Sequence, residues 1–356
     1  MIGCGLLAGC GKTTSTYQRT ETRTTLGEPV QLTTAEQFDA AGEAYFCPDT
    51  RHLIFQAKPL GEAHYQMYLA ELQFEGEQIV GLSEPVRITP EGSRNTCGYF
   101  HPTQPRILYA STLKRPDSPS GQSGYQREGG DYEWDFDAAM EIYTDTLDED
   151  GLPTKKPIAL TDNDAYDAEG AYSPDGNNII FTSDRDGDLE LYAMRADGTG
   201  VVRLTDAPGY DGGPFVNPDN SKVIWRADYA GNDLLQIMVG DLVRNADGDI
   251  TGMENIIAVT DNRHVNWGPF WHPSGEFVAY ATSEQGHRNY EVYRISLDGT
   301  GKQRVTDAPG FDGLPVFDPT GKWMLWTAKR PVSDTDAGTS QLYVAPFDGS
   351  ATRVLR

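Results

Sequence analysis

Basic residues are scarce in this sequence, and long apolar runs are absent. The chain has 29 Lys and Arg against 53 Asp and Glu, which gives a formal net charge of −24. This balance argues against nucleic acid or an anionic membrane surface as a partner, because both would repel an acidic protein. No apolar run approaches the length of a membrane span, so no transmembrane helix is predicted.

Two common signatures of hydrolases are also missing. There is no Gly-x-Ser-x-Gly sequence of an α/β-hydrolase; the segment Gly121-Gln122-Ser123-Gly124 has the wrong spacing. There is no His-Glu-x-x-His sequence of a zinc peptidase either. Neither catalytic centre is therefore predicted.

What the chain does contain is a repeated unit, clearest in residues 165–206. Pro174-Asp175-Gly176, Asp186-Gly187 and Asp197-Gly198 are turn signals between short runs rich in β-branched, Leu and aromatic residues. Such runs are too short for ordinary helices and predict strands. The unit is read as a four-stranded antiparallel meander of about 40 residues.

An aromatic or apolar residue two places before a turn proline marks six copies of the unit. The six pairs are Phe46/Pro48, Phe100/Pro102, Tyr172/Pro174, Val216/Pro218, Trp271/Pro273 and Phe317/Pro319. Their spacings of 54, 72, 44, 55 and 46 residues indicate insertions in some copies. Meanders repeated around a centre bury both sheet faces, which predicts an all-β fold, a six-bladed β-propeller of four-stranded antiparallel meanders.

These motifs identify a family resemblance. Tyr172-Ser173-Pro174-Asp175-Gly176, the strand Ile179 to Ser183, and the closing Arg203-Leu204-Thr205 resemble the TolB-like six-bladed propellers, whose repeats are distantly similar to WD repeats. The resemblance covers residues 29–356 and implies the propeller fold but no single function. The separate N-terminal α/β domain of TolB itself is not expected, since the propeller pattern begins near residue 29.

The first 28 residues are predicted to be a lipoprotein signal-like leader and a flexible tether, followed by the propeller over 29–356. Leu7-Ala8-Gly9-Cys10 resembles a bacterial lipobox, in which Cys10 would carry the lipid, although the apolar region before it is short. The polar, Thr-rich segment after it suits a tether. An exported protein of the periplasm or outer membrane is therefore expected.

Closure of the ring leaves two candidates, because Val30-Gln31-Leu32-Thr33 and Thr352-Arg353-Val354-Leu355 both match the outermost strand. The N-terminal strand is favoured. Cys47 and Cys97 lie on the first strands of adjacent blades at different distances from their prolines. Free buried thiols are the expectation, and a disulfide stays open.

Candidate ligand-binding residues fall in two groups. Asp167, Asp211, Asn266 and Asp312 share a register seven residues before the turn proline, where each first strand begins near the channel mouth, and Trp267 follows Asn266. Such residues either cap local backbone amides or form an acidic ring for a cation or basic peptide. The long insertion after Leu113 carries Trp134 and Phe136 and is either a mobile flap or a lid over a ligand.

Three histidines supply the alternative chemistry. His101 and His272 each precede a turn proline, and His264 lies eight residues before His272. Oligogalacturonate lyases have a related propeller with a histidine-bound metal, so a divalent cation at these residues is possible, while a plain turn role is the simpler interpretation.

The sequence therefore favours a non-catalytic, envelope-tethered monomer that binds a protein, a peptide or a glycan without a cofactor. A metal-dependent glycan-active enzyme is the alternative.

Overall fold

The computed structural model of the protein describes residues 22–118, 124–128, 131–333 and 338–353. Its strands, numbered β1 to β28 in chain order, form six antiparallel meanders, which confirms the predicted six-bladed propeller. The innermost strands contact one another in cyclic order around the axis. They are β3 (Phe38–Phe46), β8 (Asn95–Phe100), β14 (Asp167–Tyr172), β18 (Asp211–Val216), β22 (Asn266–Trp271) and β26 (Phe311–Phe317).

The other strands follow outward in each blade. The second strands are β4 (His52–Pro59), β9 (Arg106–Ser111), β15 (Asn178–Ser183), β19 (Lys222–Ala227), β23 (Val278–Thr282) and β27 (Trp323–Lys329). The third strands are β5 (Gln66–Glu75), β12 (Glu141–Thr146), β16 (Glu190–Arg195), β20 (Gln236–Arg244), β24 (Glu291–Ile295) and β28 (Ser340–Arg353). The outermost strands are β7 (Val86–Arg87), β13 (Ile158–Ala159), β17 (Val202–Arg203), β21 (Ile250–Ala258), β25 (Gln303–Arg304) and β2 (Val30–Gln31).

Strand β2 closes the ring. It pairs antiparallel with β28, with Val30 opposite Val344, so the N-terminal strand completes blade 6 as the sequence favoured. Strand β1 (Thr22–Leu26) adds a second link, because it pairs antiparallel with β28 and parallel with β25 of blade 5. Residues 22–26 of the expected tether are thus part of a sheet.

The insertions predicted from the spacings are hairpins. Blade 1 extends β5 into a hairpin with β6 (Gln78–Leu82). Blade 2 carries the hairpin β10 (Gly124–Glu128) and β11 (Asp131–Asp135), and blade 4 lengthens β20 and β21. A 3₁₀ turn at Ser283–Gln285 is the only helical element in the described part of the chain, so no helix there is long enough to cross a membrane.

The threonine of each Leu-Thr pattern ties the outermost strand to the third strand. In blade 3 the backbone N–H of Leu191 donates to Thr205 Oγ1 at 2.8 Å. The same bond recurs in every blade, with threonines Thr89, Thr161, Thr260, Thr306 and Thr33. In blade 6 the threonine is Thr33, from the other end of the chain, so the closing strand is held like its five counterparts.

The apolar core lies between neighbouring blades. Strand β15 is buried at all six positions, because a middle strand is covered on both sheet faces. Between blades 3 and 4, Ile180 and Leu191 pack with Val223 and Trp225. The innermost strands are thereby fixed around a common axis, which positions the site described next.

Candidate binding site on the propeller axis

A β-bulge interrupts each innermost strand at the residue five places before its turn proline. These six residues all have positive φ, between 46° and 61°, which turns them out of the regular strand direction. They are Glu43, Cys97, Glu169, Gly213, Gly268 and Leu314. Four of the six are not glycine, so the surrounding sheet must stabilise a conformation that L-residues disfavour.

The bulges surround a chamber on the axis with an empty volume of about 480 Å³, which includes space open to solvent. All six innermost strands contribute to its wall. Its ionisable side chains are Glu43, Cys97 and Glu169 from the bulges and Arg226 from β19. The chamber therefore brings two carboxylates, one guanidinium and one thiol from four blades to one place.

Glu169 and Arg226 form an ion pair between blades 3 and 4. Arg226 Nη2 donates to Glu169 Oε1 at 2.6 Å, and the two side chains are only 8% and 14% exposed. The backbone N–H of Gly213 donates to the other carboxylate oxygen at 2.7 Å. The guanidinium also lies 5.5 Å from the ring centroid of Tyr210 and 5.7 Å from that of Trp267. Aromatic faces favour a cation at these distances, so the charge is held in place from several sides.

Glu43 lies in the same chamber without an arginine of its own. Burial raises the pKa of Glu43, a hydrogen bond from Cys97 opposes the shift, and the charge of Glu169 adds to it. Burial also raises the pKa of Cys97 well above its usual range. The thiol is therefore protonated at neutral pH, which makes it a hydrogen-bond donor here rather than a nucleophile.

A layer of four aromatic rings lies across the axis below the chamber. The rings are two residues beyond the bulges, where side chains again point inward. Tyr45 is 5.0 Å from Tyr99 and 5.7 Å from Phe215, and Phe215 is 4.9 Å from Phe270, all between ring centroids. Rings from blades 1, 2, 4 and 5 are thus in mutual contact and separate the chamber from the opposite mouth.

That mouth is an apolar funnel with an empty volume of about 1030 Å³, which includes the space open to solvent. The six turn prolines form its rim, and aromatic side chains such as Phe46, Phe100 and Phe317 form its wall. None of the described residues that line it is charged. Several polar groups of the wall are already bonded: Tyr172 with Thr144, and Trp271 Nε1 with a backbone carbonyl.

The candidate residues seven places before each turn proline lie outside both the chamber and the funnel. Asp167, Asp211, Asn266 and Asp312 begin or nearly begin their strands, as expected, but all are fully buried and none lines the chamber or the funnel. Asp211 Oδ1 and Asp312 Oδ1 accept from the indoles of Trp225 and Trp326 on the neighbouring strand. They join strands and blades. A fifth member of the register, Asn95, was not recognised from the sequence and is buried in the same way.

The two histidines before turn prolines have a common structural role. His101 Nδ1 accepts the backbone N–H groups of Thr103 and Gln104 at 3.1 and 3.0 Å, which leaves Nε2–H to donate to the Gly176 carbonyl of the next blade at 3.2 Å. Burial lowers the pKa of His101, in keeping with a neutral ring. His101 therefore links the turns of blades 2 and 3.

His272 repeats this arrangement between blades 5 and 6. Its Nε2 lies 3.3 Å from the Gly321 carbonyl, and burial lowers its pKa as well. His264 lies before the start of β22, whereas His272 follows the end of that strand. The three histidines thus lie in different places, and within the described ranges they do not form a group of metal ligands.

One group with metal-ligating atoms does occur in the described residues, on the first turn of blade 1. Ligand atoms of Cys47, Asp49 and His52 lie within 4.8 Å of one another. His52 Nδ1 is already 2.6 Å from Asp49 Oδ2, and the same carboxylate accepts backbone N–H groups of the turn. Turn chemistry accounts for this group. Cys47 and Cys97 are both free thiols, as the sequence favoured.

The blade-two insertion reaches the strand-start face of the propeller. Phe136 lies 5.0 Å from Tyr166 and 6.1 Å from Tyr210 between ring centroids, and Tyr210 in turn donates to Glu169 at 3.3 Å. Trp134 lies on β11, and its side chain is outside the part of the chain that the structure describes. Cys10 also lies outside the described residues.

The chamber itself was missed because sequence reasoning compared the wrong registers. A signal was present: five residues before the prolines, two copies have glycine and two have glutamate. Glycine at a fixed strand position indicates a bulge. A bulge redirects side chains, so the glutamates of that register could have been assigned to the axis.

The fold and this site together define a six-bladed β-propeller whose axis is divided into a charged chamber and an apolar funnel. Solved structures agree with the fold. A TolB structure from Agrobacterium tumefaciens matches 93% of this chain and 100% of its own, with a TM-score of 0.55 and 17% identity. An oligogalacturonate lyase from Vibrio parahaemolyticus matches 94% of this chain and 98% of its own, with a TM-score of 0.50 and 13% identity.

TolB homologs are also similar to this chain in sequence. A TolB homolog of Chlorobium luteolum is 29% identical over 176 residues, which cover 48% of this chain. The match spans 37% of that relative, so the chain covers little more than a third of its length. No protein-family model matches the chain. The resemblance to TolB-like six-bladed propellers is confirmed in the repeat and in the fold.

Proposed function

We propose that the protein is a non-catalytic binding propeller of the cell envelope, and that an apolar segment of another envelope protein occupies its funnel. The observation that carries the proposal is the funnel of about 1030 Å³, lined by aromatic residues and six prolines without a charged group. Concave surfaces lined mostly by apolar and aromatic side chains are typical of binding sites. Aromatic side chains supply much of the binding energy at protein interfaces.

The polar groups of the funnel favour a peptide over a glycan. A glycan needs many hydrogen-bond partners, but the Tyr172 hydroxyl, Ser173 and the Trp271 indole are each bonded within the propeller. The apolar side chains of a peptide need only the wall. The histidine positions give no support to the metal-dependent lyase alternative, because His101 and His272 each bond to the turn of the next blade and His264 lies at the other end of its strand from His272.

The envelope location rests on the resemblance to TolB homologues and on the lipobox-like sequence before Cys10. The proposal therefore includes export, a lipid anchor at Cys10 and a monomeric propeller. No cofactor is part of it.

A charge placed on the funnel wall tests the proposal. Phe46 is half-buried and lines the funnel. Phe46→Asp would therefore keep the fold intact but make the funnel wall unfavourable for an apolar segment. Phe74, which is 41% exposed on the outer hairpin of blade 1, provides a matched control as Phe74→Asp. The wild type and Phe74→Asp should capture the same proteins from envelope extracts, and Phe46→Asp should fail to capture them.

The comparison is valid if both variants keep the circular dichroism and melting transition of the wild type. Equal capture by all three proteins would contradict binding in the funnel.

A further inference from the structure

Polar residues meet in pairs where one blade adjoins the next. The first residue of a third strand, which is polar, lies beside the residue seven places before the next blade's turn proline. The sequence of this chain makes two of these pairs amide pairs and three of them acid pairs. They are Gln66–Asn95, Glu141–Asp167, Glu190–Asp211, Gln236–Asn266 and Glu291–Asp312.

In each amide pair the two side chains hydrogen-bond to one another. Asn95 Nδ2 donates to Gln66 Oε1 at 3.0 Å, and Asn266 Nδ2 donates to Gln236 Oε1 at 3.0 Å. An amide is both a donor and an acceptor, so the pair needs no counter-charge. Two buried carboxylates, by contrast, repel one another and have no donor between them.

Two of the acid pairs have one arginine for each carboxylate. In the pair between blades 2 and 3, Arg115 donates to Glu141 at 2.9 Å and Arg185 donates to Asp167 at 2.7 Å. Between blades 5 and 6, Arg304 donates to Glu291 and Arg330 donates to Asp312, both at 2.5 Å. These junctions are therefore neutralised by the protein itself.

The third acid pair, Glu190–Asp211, has only one arginine. Arg203 donates to Glu190 at 2.5 Å and also contacts three further carboxylates, Asp206 at 2.7 Å and the more distant Asp186 and Asp188. Arg185 and Arg330 lie eleven residues after their turn prolines; at that position blade 4 has Tyr229. Among the residues that the structure describes, no second guanidinium therefore reaches Asp211.

The groups that face Asp211 are neutral or acidic. Trp225 on β19 donates its indole N–H at 2.6 Å, the Tyr229 hydroxyl approaches from the following loop, and Glu190 faces it from blade 3. Glu190 Oε2 and Asp211 Oδ2 are both buried without a donor. Single oxygens of Glu141 and Asp312 also lack a donor, so the distinguishing feature of this junction is the missing arginine.

We propose that Glu190 and Asp211 form a proton-binding site at the junction of blades 3 and 4, in which a shared proton takes the place of the second arginine. The site makes this junction more sensitive to pH than its two counterparts, where burial also raises the pKa of Glu141, Glu291 and Asp312 but an arginine faces each carboxylate. In support, burial raises the pKa of Asp211 to about 7, and the charge of Glu190 adds to the shift, while Trp225 and Tyr229 oppose it.

The sign of the effect follows from linkage. In the unfolded chain Asp211 loses its proton near its ordinary pKa of 3.8, whereas the folded junction keeps it up to about pH 7. The stabilisation is therefore complete below pH 3.8 and is lost as pH rises to 7. Over that range the unfolding equilibrium constant should rise by up to about tenfold per pH unit because of this one proton.

Exchanging the residues that distinguish the junctions tests the site. Tyr229→Arg supplies the missing guanidinium, and Asp211→Asn creates an amide in place of the acid; both should remove this component of the pH dependence. Tyr229→Phe removes the hydroxyl near Asp211 without adding charge and should keep this component. Arg330→Tyr gives the Glu291–Asp312 junction the blade 4 residue and should enlarge the pH dependence of that junction.

The measurement is the urea midpoint of wild type and variants at half-unit steps from pH 4.5 to 8.5, with chelator and with added calcium. Comparing variants with the wild type removes the contribution of other titrating groups. Parallel pH profiles for the wild type and Tyr229→Arg would overturn the proposal. A second outcome would also overturn it: calcium or chelator shifts the urea midpoint of the wild type at pH 8 but does not shift that of Tyr229→Arg. The site would then hold a metal ion instead of a proton. Failure of funnel binding in the capture experiment would leave this result unchanged.

Discussion

Arg226 Nη2 donates to Glu169 Oε1 at 2.6 Å, and this bond joins residues 57 positions apart on adjacent blades. The pair lies on the propeller axis. The bulge of β14 directs Glu169 inward, and Arg226 of β19 reaches the chamber beside Gly213. Both side chains are almost entirely removed from solvent. An ion pair in that environment is coupled closely to the integrity of the ring.

Removing one partner of this pair should destabilise the protein strongly. Arg226→Met leaves the Glu169 carboxylate buried without its cation, and such losses amount to about 3 to 5 kcal/mol. Urea unfolding measures the change. The double variant Arg226→Met with Glu169→Gln should recover part of it, since no buried charge remains. A single variant as stable as the wild type would mean that water reaches the chamber and solvates Glu169.

Ring closure gives a second prediction. The backbone N–H of Leu342 donates to Thr33 Oγ1 at 2.9 Å, and the corresponding bond within blade 3 joins Leu191 and Thr205. Thr33→Val and Thr205→Val should each lower the free energy of unfolding by about 1 kcal/mol, the usual net value of one hydrogen bond. An effect of Thr205→Val alone would indicate that β2 is not docked in solution.

The fold could be predicted from the sequence because its turns require particular residues. Pro174-Asp175-Gly176 marks a tight reversal wherever it occurs, and Gly176 has the positive φ that such a turn needs. Six turn prolines, each two residues after an aromatic or apolar residue, indicated the number of blades. The outermost strands could be found because each is followed, two residues after its end, by the threonine that bonds the third strand.

The axial site could not be predicted in the same way. Glu43, Glu169 and Arg226 are far apart in the chain, and only ring closure brings them together. The register that was examined instead, with Asp167 and Asp211, lies before the bulge, so its side chains point between the blades. A one-residue change of register reverses the direction of a strand side chain, and the bulge introduces that change.

The bulge predicts unequal effects of glycine substitution. Gly213 has a φ of +61°, and a Cβ there would collide with the guanidinium of Arg226. Gly252 on β21 has ordinary backbone angles and open space around it. Gly213→Ala should lower the melting temperature by several degrees, because left-handed alanine costs about 1 to 2 kcal/mol before any displacement of Arg226. Gly252→Ala should have little effect, and equal effects of the two would contradict a bulge at Gly213.

The two thiols should differ sharply from ordinary cysteines in their reactivity. Burial raises the pKa of the half-buried Cys47 to about 12, and burial raises that of Cys97 as well. In a variant with Cys4→Ser and Cys10→Ser, a disulfide reagent at pH 8 should modify Cys47 roughly a thousandfold more slowly than a free thiol, because so little thiolate is present. Cys97 should react only when the protein opens. In urea without a reductant, two thiols should react at once, whereas none would react if the cysteines were bridged. Rapid modification of both thiols in the folded protein would contradict their burial.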